Sequence, residues 1–278
     1  MMARRVLVAA TTLLMLGVLV AGMSVAWAGG PTRCEGPEGP ITIKGDVIAG
    51  PGCNLSETTV EGNVTVEPGG SLKTEEETET TITGHVQSNK ATEIVLLAGG
   101  EIGGNVQIQG TTGESVVENS KVRRNITIQN SVASRLEVRE ESVGGNVQLM
   151  NNTGSGSEVH VVVVRSTVDG NVLVGNNTLI GTIRNEVGAF KAEIKSGNLQ
   201  VYNNSATGGS EANEVFAEVV QVGMNLEVRS NTAEGPGFNA VLVIGNTVTN
   251  NLACHNDKPP ASGSGNTAKH KTGECEHL

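Results

Sequence analysis

The sequence is poor in aromatic side chains, which make up 2% of its 278 residues. It contains one Trp, one Tyr and three Phe. Sites that bind sugars usually present exposed aromatic platforms, so this shortage disfavours an ordinary aromatic sugar cleft. The Trp, Trp27, lies near the N-terminus, and the other four aromatics all lie in the C-terminal half.

Asp is almost absent as well, with only Asp46, Asp169 and Asp257 among 29 acidic residues. Calcium-binding repeats need regularly placed Asp with Gly, so that class is excluded. Glycoside hydrolysis needs two carboxylates converging on a cleft, which here would have to come from Glu. The densest candidates are Glu75-Glu76-Glu77 and Glu79, whose Thr-rich surroundings indicate an exposed, solvated loop.

The chain opens with the order of features typical of a secretory signal peptide. Arg4-Arg5 precede an apolar run over residues 6–23, and Ala26-Trp27-Ala28 offers a cleavage site. The alternative for so long a run is an uncleaved membrane anchor. Cleavage would remove two Arg residues and take the net charge from −10 to about −12. Such an acidic surface disfavours nucleic-acid backbones and anionic membranes. We therefore expect a secreted, extracellular protein that associates with the cell surface.

The most informative feature is a short phrase that returns along the chain. It reads Gly-Asn-Val or Gly-Asn-Leu five times and recurs five more times in weaker form, about 17 to 27 residues apart. A repeat of this length is typical of a solenoid. The central residues of the ten steps are Asp46, Asn63, His85, Asn105, Asn125, Asn146, Asn171, Asn198, Asn225 and Asn251.

Apolar residues keep fixed distances from this step. Val, Ile or Leu follows the central residue in every copy, and an apolar residue usually comes again two positions later. Because residues two apart share one face of a strand, Val64 and Val66 should point inward and Thr65 outward. We predict a turn at Gly-Asn, since Gly accepts positive φ and Asn tolerates it.

A second corner is indicated by another Asn, five residues after the first. It occurs at Asn130, Asn151, Asn176, Asn203 and Asn256. Beyond it lies a third apolar stretch, such as residues 159–164. The sequence therefore predicts a single-stranded, right-handed parallel β-helix of about ten rungs, with Val and Ile columns inside and Asn columns hydrogen-bonded along the rod. The predicted divisions are a signal peptide at 1–28, an N-terminal cap at 29–53, rungs at 54–254 and a C-terminal cap at 255–278.

The repeat lengthens after Asn146, from 20–22 to 25–27 residues. The extra residues follow the second corner and predict a ridge of stacked insertions, a place where solenoids often bind ligands. One hypothesis is a glycan groove between Asn146 and Asn251, built from Tyr202 and these loops. The other, which the absence of Trp favours, is that the three Phe residues of this half fill a wider core.

Cysteine is scarce and confined to the two ends, as Cys34, Cys53, Cys254 and Cys275. Export permits disulfides. We expect one bond within each pair, because the pairs lie many rungs apart. These bonds would fasten caps over the ends, which a solenoid needs because a bare terminal rung exposes strand edges.

The C-terminal cysteines could instead belong to a zinc site. Cys254-His255, His270 and Cys275-Glu276-His277 offer a suitable set of ligands. Their spacing matches no standard zinc finger, and an oxidising compartment favours the disulfide. We therefore expect neither a metal nor a cofactor.

The segment from Asn251-Leu252-Ala253-Cys254 to Cys275-Glu276-His277-Leu278 resembles a C-terminal element of exported bacterial proteins of the actinobacterial type. They share N-L-x-C, then P-x-P-T-G-x-G-N-T, then G-x-C and a final Leu; here Pro260-Ala261-Ser262-Gly263 departs from the P-T-G step. The repeated G-N-V-x-V rungs are similar too, so the resemblance spans most of the chain after residue 28. It implies a β-solenoid and export, and no particular activity. A looser resemblance is to bactofilins, β-helical polymer-forming proteins that lack signals and disulfides.

These patterns predict an exported structural or surface-associated β-helix protein with a passive scaffold, adhesion or glycan-binding role. We expect no enzyme activity, no stable membrane insertion after cleavage, a monomer, and cell-envelope glycan as the partner. The alternative is a carbohydrate-active β-helix enzyme of the polysaccharide lyase or hydrolase type. Two Glu carboxyls facing each other over the wide rungs would favour the enzyme, and a flat surface lined by Gln and Thr would favour the passive role.

Overall fold

The computed structural model describes residues 30–75, 78–97 and 99–278. The predicted signal peptide, together with Glu76 and Glu77, lies outside these residues. The described chain forms a parallel β-solenoid of about 8 turns, which confirms the predicted fold class. The prediction of about ten rungs counted Gly-Asn steps that belong to the two ends. The right-handed sense of the coil stays a prediction.

The strands are numbered in chain order. The N-terminal ones are β1 (Thr32–Cys34), β2 (Thr42–Ile43), β3 (Val47–Ala49), β4 (Cys53–Asn54), β5 (Thr59–Val60), β6 (Val64–Val66), β7 (Ser71–Lys73), β8 (Thr81–Ile82) and β9 (Val86–Asn89). The next coils contain β10 (Glu93–Leu96), β11 (Glu101–Ile102), β12 (Val106–Gln109), β13 (Ser115–Glu118), β14 (Lys121–Val122), β15 (Ile126–Gln129), β16 (Arg135–Arg139), β17 (Ser142–Val143) and β18 (Val147–Met150).

The wide coils and the C-terminal end follow. The wide coils contain β19 (Thr153–Val164), β20 (Thr167–Val168), β21 (Val172–Gly175), β22 (Thr178–Phe190), β23 (Glu193–Ile194), β24 (Leu199–Tyr202), β25 (Ser205–Thr207), β26 (Ala212–Glu218), β27 (Gln221–Val222), β28 (Leu226–Arg229), β29 (Thr232–Glu234) and β30 (Phe238–Ile244). The chain ends with β31 (Thr247–His255), β32 (Thr267–Gly273) and the 3₁₀-helix η1 (Glu274–His277). No helix among the residues that the structure describes is long and apolar enough to cross a membrane.

Each coil places its strands in two sheets. Sheet A, with 21 strands, holds the short strand before each Gly-Asn step and the strand after it; sheet B, with 11 strands, holds the third strand. Pairing is parallel and keeps like residues in register, so that Val106 lies between Val86 and Ile126. All three side chains are fully buried. The stacked Val, Ile and Leu columns form one continuous hydrophobic core, as predicted.

The first corner needs Gly for a reason that the sequence analysis missed. Among the ten Gly-Asn steps only Gly45 has positive φ, so left-handed backbone does not explain the others. At most of the steps that do carry Gly, a side chain would meet the corner of the preceding coil. A Cβ atom at Gly104 would lie 2.6 Å from the Gly84 carbonyl oxygen, and one at Gly170 would lie 2.8 Å from that of Gly145. Close stacking of backbone therefore selects Gly here.

The second corner is as predicted. Its residues adopt left-handed backbone with φ between 51° and 59°, at Asn130, Asn151, Asn176, Asn203 and Asn256. Asn tolerates this conformation better than other residues with a Cβ atom. A third corner, at Asn119, Glu140, Arg165, Lys191 and Val219, also has positive φ. Its varied residue types left no sequence signal.

The insertions of the wide coils are strands rather than loops. β19 and β22 have 12 and 13 residues and pair along most of their length. A bend in the later insertions is held by buried Asn185 and Asn213, each of which also accepts a backbone N–H, from Gly181 and Gly209 respectively. Asn185 Nδ2 lies 2.9 Å from Asn213 Oδ1. The extra residues therefore lengthen one side of the coil, and some of them, such as Leu179 and Ala206, join the buried core.

Of the three Phe residues expected to fill a wider core, only Phe216 is buried, with 8% of its surface exposed. Phe238 is 57% exposed. Phe216 belongs to the outer face of β26, since its neighbours Val215 and Ala217 belong to the buried core. Phe190 is half-buried at the end of β22. Alternation along β26 therefore places Phe216 outside the central core, although its ring is covered there.

Both predicted disulfides are present near the ends of the rod. Cys34 bonds Cys53 and Cys254 bonds Cys275, with Cα–Cα distances of 5.2 and 5.1 Å. Cys254 pairs in register with Val228 and is fully buried, so the bond ties the tail to the last core position. Disulfides are typical of proteins that fold in an oxidising compartment.

Candidate functional site

A partly exposed column of Asn side chains runs along the first corner. The Nδ2 atom of Asn125 lies 3.0 Å from Asn105 Oδ1, that of Asn146 lies 3.1 Å from Asn125 Oδ1, and that of Asn171 lies 3.1 Å from Asn146 Oδ1. An amide nitrogen carries two N–H groups, and the ladder uses one. We call this column the corner ladder; it leaves one N–H on each Asn for solvent or a ligand.

A second polar column stands beside the corner ladder, on the outer face of the strands that follow each step. Gln87, Gln107, Thr127 and Gln148 occupy matching positions in register on β9, β12, β15 and β18. The side chains of Gln107 and Gln148 form no hydrogen bond within the described chain. Parallel strands lie about 4.8 Å apart, so the amide and hydroxyl groups repeat at that interval.

Two shallow clefts lie between these columns and join into one groove. The first, of about 310 Å³, is lined by Asn105, Val106, Gln107, Asn125, Thr127, Asn146 and Gln148. The second, of about 250 Å³, is lined by Asn146, Gln148, Asn171, Leu173 and Gln200. Because they share Asn146 and Gln148, the two clefts form a continuous channel along the rod. We call it the amide groove, and its lining contains no carboxylate or ammonium group.

Tyr202 lies two residues beyond Gln200 on β24, outside the lining of the amide groove. Its ring lies against Gly175 of the preceding coil, where a Cβ atom would overlap the ring. The Arg229 guanidinium lies over the ring, 4.8 Å from its centroid. Glu227 in turn accepts hydrogen bonds from Gln200 Nε2 at 3.0 Å and Arg229 Nε at 3.1 Å. Tyr202 is thus packed within a polar cluster and is not a free platform for a sugar.

A buried ladder at the second corner contrasts with the exposed one. Its residues Asn152, Asn177, Asn204 and Asn231 are at most 1% exposed. Asn177 Nδ2 donates to Asn204 Oδ1 at 2.9 Å and to the Leu149 carbonyl oxygen at 3.0 Å. With its amide groups paired and enclosed, this ladder stabilises the corner and offers nothing to a ligand.

The other predicted sites are dispersed. Glu75 and Glu79 are exposed, as predicted for a solvated loop. Cys254 and Cys275 are bonded to each other, so their thiolates are not free to hold zinc. No group of three His, Cys, Asp or Glu side chains in the described part of the chain is placed to hold a metal ion.

One acid–base pair on sheet B was not foreseen. His160 Nδ1 lies 3.0 Å from Glu186 Oε2, and this contact raises the pKa of His160 and lowers that of Glu186. Arg184 also contacts Glu186, at 3.4 Å. Nothing in the sequence signalled this pair, because its members lie 26 residues apart.

Comparison of the chain with family models, with curated proteins and with solved structures finds no match in any of the three. The fold and the groove therefore rest on this chain's own repeat and packing. The resemblance to exported actinobacterial-type solenoids, and the looser one to bactofilins, stays a prediction.

Sequence reasoning attributed the Asn columns to turn chemistry and looked for binding among the insertions. The amide groove lies instead on the Gly-Asn side of the rod. A signal was present, because Thr or Gln stands two residues after the corner at Thr65, Gln87, Gln107, Thr127, Gln148 and Gln200. Only the stacking of coils shows that these side chains form one surface with the corner ladder.

Proposed function

We propose that the protein is an exported, passive β-solenoid that binds an extended cell-envelope glycan along the amide groove. The observation that carries this proposal is the register of Gln107, Thr127 and Gln148 beside the corner ladder. A linear polysaccharide presents hydroxyl groups at a regular interval, and the groove presents amide donors and acceptors at a regular interval.

The expected mode of binding is many weak contacts. A hydrogen bond to a neutral group contributes about 1 kcal/mol net, so one coil alone would bind poorly. Several neighbouring coils together would bind the glycan more tightly, because once one coil has bound, the contacts with the other coils form within the same complex. Neutral amides also accept a neutral sugar chain without the cost of leaving a charge unpaired.

The same lining favours the passive role over the enzyme alternative. A hydrolase needs two carboxylates over the bound sugar, whereas the amide groove is lined by amide, hydroxyl and aliphatic groups. Glu186, on the wide coils, is engaged by His160 and Arg184. Assay of the purified chain on plant and bacterial polysaccharides for reducing ends or unsaturated products tests the enzyme alternative directly, and turnover would establish it.

A glycan array and a pull-down with insoluble cell-wall polysaccharide test the binding role. We expect Gln107→Ala/Gln148→Ala to weaken binding about tenfold, since it removes from the groove the two amides on either side of Thr127. Gln221→Ala is the matched control, because Gln221 is an exposed strand Gln on β27, outside the groove. Equal binding by both variants, or no retention of the unaltered chain on any glycan, would refute the proposal.

Export, cleavage and the monomeric state are part of the proposal. The two disulfides and the acidic charge support an extracellular location. Mass spectrometry of the exported protein should show an N-terminus at Gly29, and size-exclusion chromatography should show one monomeric species. An N-terminus upstream of Val6 in membrane fractions would instead indicate an uncleaved anchor.

A further inference from the structure

One arginine breaks the pattern of the first corner. In most coils Gly precedes the central residue of the step, but Arg124 precedes Asn125. Register places Arg124 between Gly104 and Gly145 of the two neighbouring coils. The coils approach closely here, since a Cβ atom at Gly145 would lie 2.9 Å from the Arg124 carbonyl oxygen. Because neither neighbour in the column has a side chain, the exposed side chain of Arg124 has open space on both sides.

Arg124 also differs from the other arginines in its charge partners. Each of the others in the described part of the chain pairs with at least one Glu, as Arg165 does with Glu140 at 2.8 Å. The Arg124 side chain forms neither a salt bridge nor a hydrogen bond with the described residues. A planar guanidinium matches a carboxylate or a phosphate with two parallel hydrogen bonds. Its donors are therefore free to bind such a group on a ligand.

The charges next to Arg124 form a basic patch. Lys121 and Arg123, on the same coil, both contact Glu101 of the preceding coil. On the following coil the residue in register with Lys121 is Ser142, which carries no charge. The carboxylate of Glu101 is thus engaged by two other cations, and Arg124 adds a further positive charge. We call Lys121, Arg123 and Arg124 the basic corner, which contrasts with the net charge of −10 on the whole chain.

The basic corner adjoins the amide groove. Arg124 is joined to Asn125, which lines the first cleft together with Asn105 and Asn146. Asn125 donates from Nδ2 to Asn105 Oδ1 at 3.0 Å, and its Oδ1 accepts from Asn146 Nδ2 at 3.1 Å. These bonds fix the backbone that carries Arg124 on both sides. A glycan chain lying along the groove therefore passes beside the guanidinium.

We propose that the ligand of the amide groove is an acidic glycan, with a carboxylate or phosphate substituent bound by Arg124. This inference rests on the proposed glycan-binding role and narrows the class of glycan. The groove binds the hydroxyl groups of the sugar chain, and the guanidinium pairs with the acidic group. A neutral glycan gains nothing from Arg124, whereas an acidic one gains a charge-assisted pair of hydrogen bonds.

The acidic surface elsewhere on the rod makes this choice more selective. At about 0.15 M salt, charges more than about 8 Å apart are largely screened, so distant carboxylates do not repel an anion from the basic corner. Carboxylates close to any other binding position would repel it. We therefore expect an acidic glycan to bind on this face of the rod.

Isothermal titration calorimetry with a matched pair of oligosaccharides tests the inference. The acidic probe is an oligogalacturonate long enough to span both clefts, and the neutral probe is its methyl ester, which has the same sugar chain without the charge. A poly(glycerol phosphate) chain of similar length tests phosphate as the source of the anion. At about 0.15 M salt we expect the oligogalacturonate to bind about tenfold more tightly than its ester.

Arg124→Gln separates the contribution of the guanidinium from that of the groove. It should weaken binding of the oligogalacturonate about tenfold and leave the Kd of the ester within about twofold. Arg124→Lys, which keeps the charge and loses the planar fork, should retain only part of the preference. Gln107→Ala/Gln148→Ala should weaken both probes alike, because its amides act on the sugar chain.

Lys269→Gln is the matched control, because it removes one positive charge from an exposed side chain of β32, at the C-terminal end of the rod. It should leave every Kd within about twofold. Thermal unfolding of each variant checks that the fold is retained.

Equal binding of the oligogalacturonate and its ester, or equal effects of Arg124→Gln and Lys269→Gln, would overturn the inference. Losses in Gln107→Ala/Gln148→Ala would then leave the proposed function standing with a neutral ligand. Binding of poly(glycerol phosphate) alone, weakened by Arg124→Gln, supports the inference with phosphate as the anion. Absent binding of all three probes overturns it, and the glycan array then decides the proposed function separately.

Discussion

Asn231 donates both its backbone N–H and its Nδ2 to the same oxygen, Oδ1 of Asp257, each at 2.9 Å. Asp257 thereby ends the buried ladder at the C-terminal end of the rod. Asp46 ends the corner ladder at the N-terminal end, where its Oδ1 accepts from Asn63 in the same way. The side chains of the corner ladder donate toward the N-terminal end of the rod, and those of the buried ladder donate toward the C-terminal end. Each ladder ends at an Asp, whose side chain accepts hydrogen bonds from the last Asn.

Asp257 nevertheless carries an unsatisfied oxygen. Its Oδ2 is buried without a hydrogen-bond partner, and burial raises its pKa to about 6 despite the bonds from Asn231. In the coils before it, an Asn Nδ2 occupies this position and also donates to a core-strand carbonyl, as Asn231 does to Val201. By the register of the ladder, an Asn at 257 would meet the carbonyl of Val228.

Asp257→Asn should therefore stabilise the protein at neutral pH, by about 1–2 kcal/mol. A carboxyl whose pKa is raised on folding loses stability as pH rises from its ordinary value, 3.8, through about 6. The gain should accordingly disappear near pH 4. Urea unfolding at both pH values measures it, and a variant less stable than the unaltered chain at neutral pH would contradict the interpretation.

Glu141 predicts a second dependence on pH. It is 2% exposed, its Oε1 accepts the Ser120 N–H at 2.8 Å, and its Oε2 is buried without a partner. Burial raises the pKa of this carboxyl to about 8, so it is mostly protonated in the fold at neutral pH. Stability should fall as pH rises from about 4.5 through about 8, because unfolding then releases a proton.

Glu141→Gln should remove this dependence, since the amide keeps the acceptor and cannot ionise. We expect a gain of about 1–2 kcal/mol near pH 9 and little change near pH 5. Thermal unfolding across this range measures it. Parallel curves for the variant and the unaltered chain would mean that Glu141 is not protonated in the fold.

The two Asn ladders should differ sharply in their contribution to stability. Asn177→Ala removes the oxygen that accepts from the backbone and Nδ2 of Asn152, both at 3.0 Å, and leaves those buried donors unpaired. The expected loss is about 3 kcal/mol. Asn171→Ala, in the exposed ladder of the same coil, is the control and should cost less than about 1 kcal/mol, because water replaces the lost bonds.

Urea titration of both Asn variants, with slopes compared as a check on two-state unfolding, measures this difference. Similar losses at the two corners would show that burial does not set the contribution of the ladders.

The C-terminal disulfide should hold the cap closed. The tail is also fastened by Glu274, whose two carboxylate oxygens accept the N–H groups of Asp257 at 3.2 Å and Ala261 at 2.8 Å. Cys254→Ala/Cys275→Ala should cost about 3 kcal/mol and expose the edge of β31, which favours association.

Size-exclusion chromatography and thermal unfolding measure both effects. Cys34→Ala/Cys53→Ala is the matched comparison, because the two bonds close loops of similar separation, 19 and 21 residues. A C-terminal variant that stays monomeric with unchanged stability would show that Glu274 suffices to hold the cap.

The features that the sequence predicted correctly are those that a short stretch of chain determines. Inward Val and Ile columns, the second Asn corner and the disulfide pairs were all predictable, because each repeats at a fixed offset from Gly-Asn or lies at an end. The reason for Gly at the first corner was not predictable from the sequence, since it depends on how closely one coil approaches the next, as at Gly104 and Gly84. The positions of Phe216 and Phe238 depend on how the lengthened strands of sheet B pair with one another.

The sequence alone determined the solenoid, its corners and its closed ends, because the period of apolar residues dictates which faces must be buried. Only the tertiary structure decided what the outside presents. Gln107, Thr127 and Gln148 lie on three successive coils, about 20 residues apart in sequence. They become neighbours through parallel register, and that register depends on how each coil stacks on the one before it.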